Sequence, residues 1–249
     1  MKLYYKRAAI IGDCHGNREF LERAIWQAST CDPEIDVVIQ VGDFGVWPFK
    51  GHMHNYSYDL PVYFVDGNHE HHPWLLAHCP EKINELGNNV FYVNRGVTLE
   101  INNTSVLFCG GAHSIDWMYR QEGHSWFREE NITDENVEKC LAVDPVDLII
   151  THDAPRICKI VQEDYPLAMP NREKLDVIHQ HHKPANWYFG HFHQNWCWTD
   201  PDSGTRFFCC GADCNSEILH NGGMPTGKRY AQYAVYDFEE KREISTDGI

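Results

Sequence analysis

An α/β fold is what this chain predicts, and three observations predict it. Short apolar, β-branched runs alternate with stretches whose apolar residues recur at helical spacing, the signature of strands joined by helices. Between about residues 90 and 111 the period changes to that of consecutive antiparallel strands with a hairpin, so parallel and antiparallel pairing should coexist. Finally, 249 residues with 43% hydrophobic content suffice for a real core, and no repeat, low-complexity tract or linker divides them, so residues 1–249 are read as one domain.

The elements follow in order. Ala8 to Ile11 reads as a buried strand stopping at Gly12, after which Asn17 caps a helix with Phe20, Leu21, Ala24, Ile25 and Ala28 on one face. Ile35 to Val41 is a second strand and Val62 to Val65 a third. Val90 to Val93 and Val97 to Ile101 come next, then the turn Asn102-Asn103-Thr104 and Val106 to Cys109. Thr133 caps a helix whose first turn holds Asp134 and Glu135, favourable against the helix dipole. Val146 to Ile150 returns as a strand, Leu175 to His182 carries a helical stripe, and Trp187 to Phe189 is a short strand. Arg206 to Cys210 and Tyr230 to Phe238 supply closing strands.

Polar segments stand directly after these apolar runs: Gly12-Asp13-Cys14-His15-Gly16, Gly42-Asp43, Gly67-Asn68-His69-Glu70, Thr151-His152 and Gly190-His191-Phe192-His193. Strand ends would therefore deliver them to one edge, where an open α/β sheet offers its binding crevice. Any one segment taken alone reads as a turn or a satisfied polar residue. Together they supply carboxylate, imidazole and amide groups, a donor set suited to manganese, iron or zinc, whereas an all-oxygen shell would suit magnesium or calcium.

In that order the segments resemble the calcineurin-like metallophosphoesterase family, whose signature is Asp-x-His, Gly-Asp, Gly-Asn-His-(Asp/Glu), a lone His, and Gly-His-x-His. The resemblance covers residues 8–193, with closing strands at about 206–238, and implies two packed mixed β-sheets flanked by helices, a four-layer αββα arrangement. It assigns Asp13, His15, Asp43 and His193 to one metal ion and Asp43, Asn68, His152 and His191 to another, with Asp43 bridging. Two divalent ions per chain are implied, manganese first, with zinc or an iron-containing pair as alternatives. The chemistry implied is phosphoester hydrolysis by a metal-bridging hydroxide, with His69 stabilising the phosphoryl group and protonating the leaving oxygen.

The pattern departs from the protein Ser/Thr phosphatases, which continue the middle block as Gly-Asp-x-x-Asp-Arg-Gly. Here it reads Gly42-Asp43-Phe44-Gly45-Val46-Trp47, so Val46 stands where the aspartate orienting the histidine would be, and no phosphate-binding arginine follows. Protein phosphatase activity is demoted. Arg156 and Arg120 are the substitute candidates for gripping phosphate. The aromatic and polar stretch from Gly110 to Glu130, with His113 and Trp117, and the segment Phe44 to Leu60, with Trp47, Phe49, Tyr56 and Tyr58, are candidate substrate walls.

A formal charge of -15 without a Lys/Arg stripe excludes tight duplex nucleic acid binding, although divalent cations in a cleft would still admit small phosphoesters. No apolar run reaches membrane-span length and Met1 to Arg7 is not signal-like, so a soluble chain without membrane partners is expected. The 10 cysteines lie at scattered spacings that suit a reducing, cytoplasmic compartment, with Cys209, Cys210 and Cys214 read as buried thiols rather than a metal corner. His71 and His72, just after Glu70, read first as exposed helix-start residues and second as lining of the cleft, and His179, His181 and His182 as a polar helix end where cations suit the dipole. His52, His54, His78, His124 and His220 receive no role. The expected function is hydrolysis of small phosphodiesters, nucleotides or cyclic nucleotides foremost. The rivals are a broad phosphomonoesterase, a single-strand nuclease and, disfavoured by the complete ligand set, a non-enzymatic protein-binding scaffold.

Overall fold

The computed structural model describes residues 1–48, 56–161, 166–212 and 233–244. Phe49, His52, His54, Cys214, His220 and Tyr230 lie outside them. Strands β1 (Lys2–Leu3), β2 (Arg7–Ile11), β3 (Ile35–Gln40), β4 (Ser57–Phe64) and β5 (Ile83–Val93) alternate with helices α1 (Arg18–Cys31) and α2 (His72–His78). Then come β6 (Val97–Ile101), β7 (Thr104–Cys109), α3 (Asp134–Leu141), β8 (Leu148–Thr151), α4 (Met169–His182), β9 (Asn186–Phe189), β10 (Trp196–Thr199), β11 (Arg206–Cys209), β12 (Tyr233–Asp237) and β13 (Arg242–Ile244).

Two mixed sheets result, a six-stranded one ordered β13-β12-β2-β3-β4-β5 and a seven-stranded one ordered β1-β6-β7-β8-β9-β11-β10. The alternation of side chains along each strand explains how they stack. In β2 and β3, Ala8, Ile10, Val37 and Ile39 face a core shared with Phe108, Ile150 and Tyr188 of the other sheet, whereas Ala9, Ile11 and Val38 face Phe20, Leu21 and Ala24 of α1. On the far side, Leu107, Ile149 and Trp187 pack against Val137 of α3 and Leu175 and Ile178 of α4. The layers are thus helix, sheet, sheet, helix, as the family resemblance implies.

Local signals act as expected where they are self-contained. Asn17 Oδ1 accepts the Phe20 N–H at 3.1 Å, and Thr133 closes a reciprocal capping box with Asn136. Asn102 and Asn103 turn the β6–β7 hairpin with φ of 45° and 62°. Three expectations need correction. Val90 to Val93 is not part of the antiparallel run: it ends β5, which pairs in parallel with β4 in the six-stranded sheet because α2 crosses over between them. His72 is buried, at 3% exposure, against the Asp66 carboxylate, since the first turn of α2 packs inward. His179 and His182 are likewise buried, and burial lowers both imidazoles, so neither serves as a cation at the helix end. The thiols of Cys209 and Cys210 are buried, as expected.

Candidate active site

The carboxyl ends of parallel strands in both sheets meet at one edge. Ile11, Gln40 and Phe64 end β2, β3 and β4 just before Asp13, Asp43 and Asn68, while Thr151 and Phe189 end β8 and β9 just before His152 and His191. The loops lock together by backbone hydrogen bonds: His15 N–H donates to the Asp43 carbonyl at 2.7 Å, Gly16 N–H to the Phe44 carbonyl at 3.0 Å, and Gly190 N–H to the His152 carbonyl at 3.0 Å. Glu70, fully buried, clasps two of them by accepting the Gly45 N–H at 2.9 Å and the Gly67 N–H at 2.7 Å.

Asp13, His15, Asp43 and His193 converge so that one ligand atom from each lies within 4.8 Å of all the others. His193 Nε2 stands 3.2 Å from Asp13 Oδ2 and 3.1 Å from His15 Nε2, and His15 Nδ1 is 3.6 Å from Asp43 Oδ2. Beside them, His152 Nε2 lies 3.3 Å from Asn68 Oδ1 and 3.4 Å from Asp43 Oδ1, with the His191 ring 5.2 Å from that of His152. Asp43 therefore faces both groups. His152 Nδ1 is 2.8 Å from the Val41 carbonyl; an N–H there leaves Nε2 as the atom turned to Asp43 and Asn68.

The backbone is bent to achieve this. His15, Asp43, His191 and His193 occupy the left-handed region with φ of 48°, 54°, 66° and 52°, at about 1 kcal/mol or more each for residues bearing a Cβ. Gly67 and Gly190 serve close approach: a Cβ at either would collide with the carboxylate of Asp43 or Asp13 respectively.

Electrostatics match a cation site. Asp13 and Asp43 are both carboxylates at 1% exposure or less. Burial opposes ionisation of Asp43, but His152, His69 and His15 outweigh it and hold the carboxyl well below its usual range. Burial would likewise lower His152, yet Asp43 and Asp13 raise it to about 10, as two buried carboxylates beside it favour positive charge. Burial and the neighbouring His152 push His191 down to about 3, leaving an unprotonated imidazole. The mixed oxygen and nitrogen donors, the close ligand atoms and the glycine-cleared approach all fit divalent transition metals.

A cavity of about 550 Å³ opens over this cluster, lined by His15, Gly16, Gly45, Trp47, His69, His71, Arg120, Gly123, His124 and Ser125. Its size suits a small organic ligand, and among the described residues no carboxylate side chain lines it. Trp47 is fixed as a wall by its indole N–H, which donates to the His69 carbonyl at 2.6 Å, and by the His71 ring set edge-on at 5.6 Å. Arg120 reaches in from a loop: its Nε pairs with Asp116 at 2.8 Å and its Nη2 lies 2.9 Å from His69 Nε2. A guanidinium only donates, so His69 Nε2 accepts here. Burial lowers His69 to about 4, assisted by Arg120 and His15 against the pull of Asp43.

Of the expected substrate residues, Trp47 and Arg120 reach the cavity; His113, Trp117 and Arg156 do not line it. His113 is buried with Nδ1 3.1 Å from Asn131 Oδ1, Trp117 packs on Trp126 with ring centroids 5.8 Å apart, and Arg156 pairs with Glu173 of α4 at 3.0 Å. His71, for which the sequence left a place in the cleft open beside an exposed helix start, and His124, which received no role, both line the cavity. His124 has no local signal, since a loop folding across the cluster brings it there; His71 has one in its place just after Glu70, and the indole of Trp47 meets it in the folded chain.

A sequence profile described as calcineurin-like phosphoesterase matches residues 6–195. No curated protein matches the chain. Among solved structures, the chain is similar in fold to a dimetal phosphatase from Danio rerio at 14% identity and a TM-score of 0.53, over 93% of this chain and 92% of that one. It also matches an archaeal phosphodiesterase at 16% identity and a TM-score of 0.42, over 96% and 98% of the two chains. A predicted phosphoesterase from Streptococcus pneumoniae matches at 17% identity and a TM-score of 0.40, over 92% and 81%.

Proposed function

The chain belongs to the calcineurin-like phosphoesterase family, and from that premise we propose that it hydrolyses small phosphodiesters, nucleotides or cyclic nucleotides foremost, as a single domain with two manganese ions. Asp13, His15, Asp43 and His193 would hold one ion and Asp43, Asn68, His152 and His191 the other, with Asp43 shared. The observation that carries the reading is the convergence of Asp13, His15, Asp43 and His193 within 4.8 Å beneath a cavity walled by donors. Two such cations supply Lewis-acid polarisation of phosphoryl oxygens and acidify the attacking water.

The chain's own residues do the rest. Arg120 grips the phosphoryl oxygens with the guanidinium that it now turns to His69; relieved of that donor, His69 Nε2, 4.0 Å from the Asp43 carboxylate, takes up a proton from solvent and passes it to the leaving oxygen. Trp47 forms the face on which an aromatic group can lie. Gly16 and Gly45, packed against each other, bring no side chain to the cavity and leave room there for an ester group.

One observation favours a second reading. Arg120 supplies an arginine that the middle block lacks, and a guanidinium suits a dianionic monoester, so a phosphomonoesterase is the rival. Metal-stripped protein reloaded with manganese and assayed on bis-p-nitrophenyl phosphate, p-nitrophenyl phosphate, cyclic nucleotides and single-stranded oligonucleotides decides between them. Higher kcat/KM on the diesters is expected; consistent preference for the monoester would promote the rival. Free thiols at nine described cysteines, seven of them buried, support a reducing, cytoplasmic setting, and the net charge of -15 supports small phosphoesters over duplex nucleic acid as substrates.

A further inference from the structure

We infer that Glu130 is a positioning residue which, through Ser114, turns the Asn68 amide so that its oxygen rather than its nitrogen faces His152 and Asp43. The inference rests on the assignment of Asn68 as a metal ligand. Glu130 does not line the cavity; it is fully buried, as is Ser114, and Asn68 is 6% exposed.

Glu130 Oε1 accepts the Ser114 backbone N–H at 2.6 Å and the Trp126 indole N–H at 2.8 Å, and Oε2 accepts the Ser114 hydroxyl at 2.8 Å. A carboxylate can only accept, so the single hydroxyl proton of Ser114 is committed to it. The hydroxyl therefore offers a lone pair to its remaining neighbour, which must donate. That neighbour is Asn68, whose Nδ2 lies 3.1 Å away. An amide is planar with oxygen and nitrogen on opposite branches, so fixing Nδ2 on Ser114 sends Oδ1 to the other side, where it lies 3.3 Å from His152 Nε2. The two orientations of an asparagine have nearly the same shape, and only the hydrogen-bond network selects between them. The relay is held at its far end as well: Arg95, paired with Asp66, donates to the Glu130 carbonyl at 3.0 Å and to the Asn131 carbonyl at 2.7 Å.

Glu130→Gln reverses the polarity with little change of shape. The Gln oxygen takes the two N–H donors, its NH2 donates to Ser114, and the freed hydroxyl proton then favours an Asn68 turned with NH2 toward the cation. Metal-free protein titrated calorimetrically with manganese at about pH 8.5 tests this, a pH at which Glu130, pushed up to about 7 by burial, is ionised. We expect wild-type protein to bind two ions, and Glu130→Gln to weaken one of them about 10- to 100-fold while changing the other by less than about twofold. In the manganese-loaded variant the spin-coupled signal of an ion pair should give way to that of an isolated ion. Ser114→Ala, which removes the acceptor, should weaken the same ion and serves should Glu130→Gln not fold. Two ions bound at wild-type affinity in the folded variants, or equal weakening of both, would overturn the inference and leave the phosphoesterase reading standing. Fewer than two ions in wild-type protein would overturn the two-ion reading and the inference with it.

Discussion

The floor and the wall of the cavity are built by opposite means. The floor is made of residues set at the ends of buried strands, several in the left-handed region, with loops laced to one another by main-chain bonds. The wall between Ile115 and Trp126 has no strand; it rests on a short 3-10 turn, the Asp116–Arg120 pair and the Trp126 bond to Glu130, and it leaves Tyr119 87% exposed. Strain of about 1 kcal/mol per bent residue is tolerable where two sheets and a shared core over-determine the backbone, and would not persist in a loop so lightly held. The rigid edge therefore suits the proposed chemistry, and the lightly held segment the proposed discrimination among substrates.

The largest effect should come from the floor. Asp43→Asn touches both ligand groups and is expected to lower turnover at least as much as His15→Ala, on the order of a thousand-fold, the several kcal/mol that metal activation contributes. Elemental analysis should show metal lost with it; two ions per chain at near-normal rates would break the assignment of Asp43 as shared. Next is His69, between floor and wall. His69→Ala should retain its metal and lose about 100-fold in kcat on substrates with poor leaving groups, and less on activated nitrophenyl esters that need little protonation. Equal losses on both kinds of ester would remove the proton-transfer role and leave an electrostatic one.

Arg120→Ala tests the wall. It should raise KM about tenfold for p-nitrophenyl phosphate and less for the diester, since a dianion gains more from a guanidinium, with metal content unchanged. A fall in kcat with KM unaltered would instead place Arg120 in the floor's machinery. The smallest effect is a control at the opposite edge. Asp147, just before β8, accepts from the Ser105 N–H at 2.8 Å and from Lys241 Nζ at 3.0 Å. Burial opposes its ionisation, but these partners win and lower the carboxyl below its usual value. A depressed carboxyl stabilises the fold fully above the unfolded value of about 3.9 and loses that contribution as pH falls through the folded one. With the side chain 33% exposed, solvent screens the pair, so Asp147→Asn should cost under about 1 kcal/mol. Melting curves of the two proteins should converge below about pH 4, with manganese binding alike throughout.

By itself the sequence determined whatever is encoded within one element and the turn that ends it. Asp13 and His15, or His191 and His193, are placed by the strand just before them, and the caps at Asn17 and Thr133 and the Asn102-Asn103 turn act over three or four residues, so local pattern suffices to find them. Only the tertiary structure decided what lies across from each element. Alternation could not say that β5 joins β4 in parallel, because period 2 is the same in either sheet. Nor could helical spacing say that His72, His179 and His182 are buried, since polar residues earn burial only through partners supplied from elsewhere in the chain. Arg120 and Arg156 were equal candidates until the fold set one against His69 and the other against Glu173. The physical reason is the same in each case: which atom meets a side chain depends on segments tens of residues away, and no spacing along the chain records that meeting.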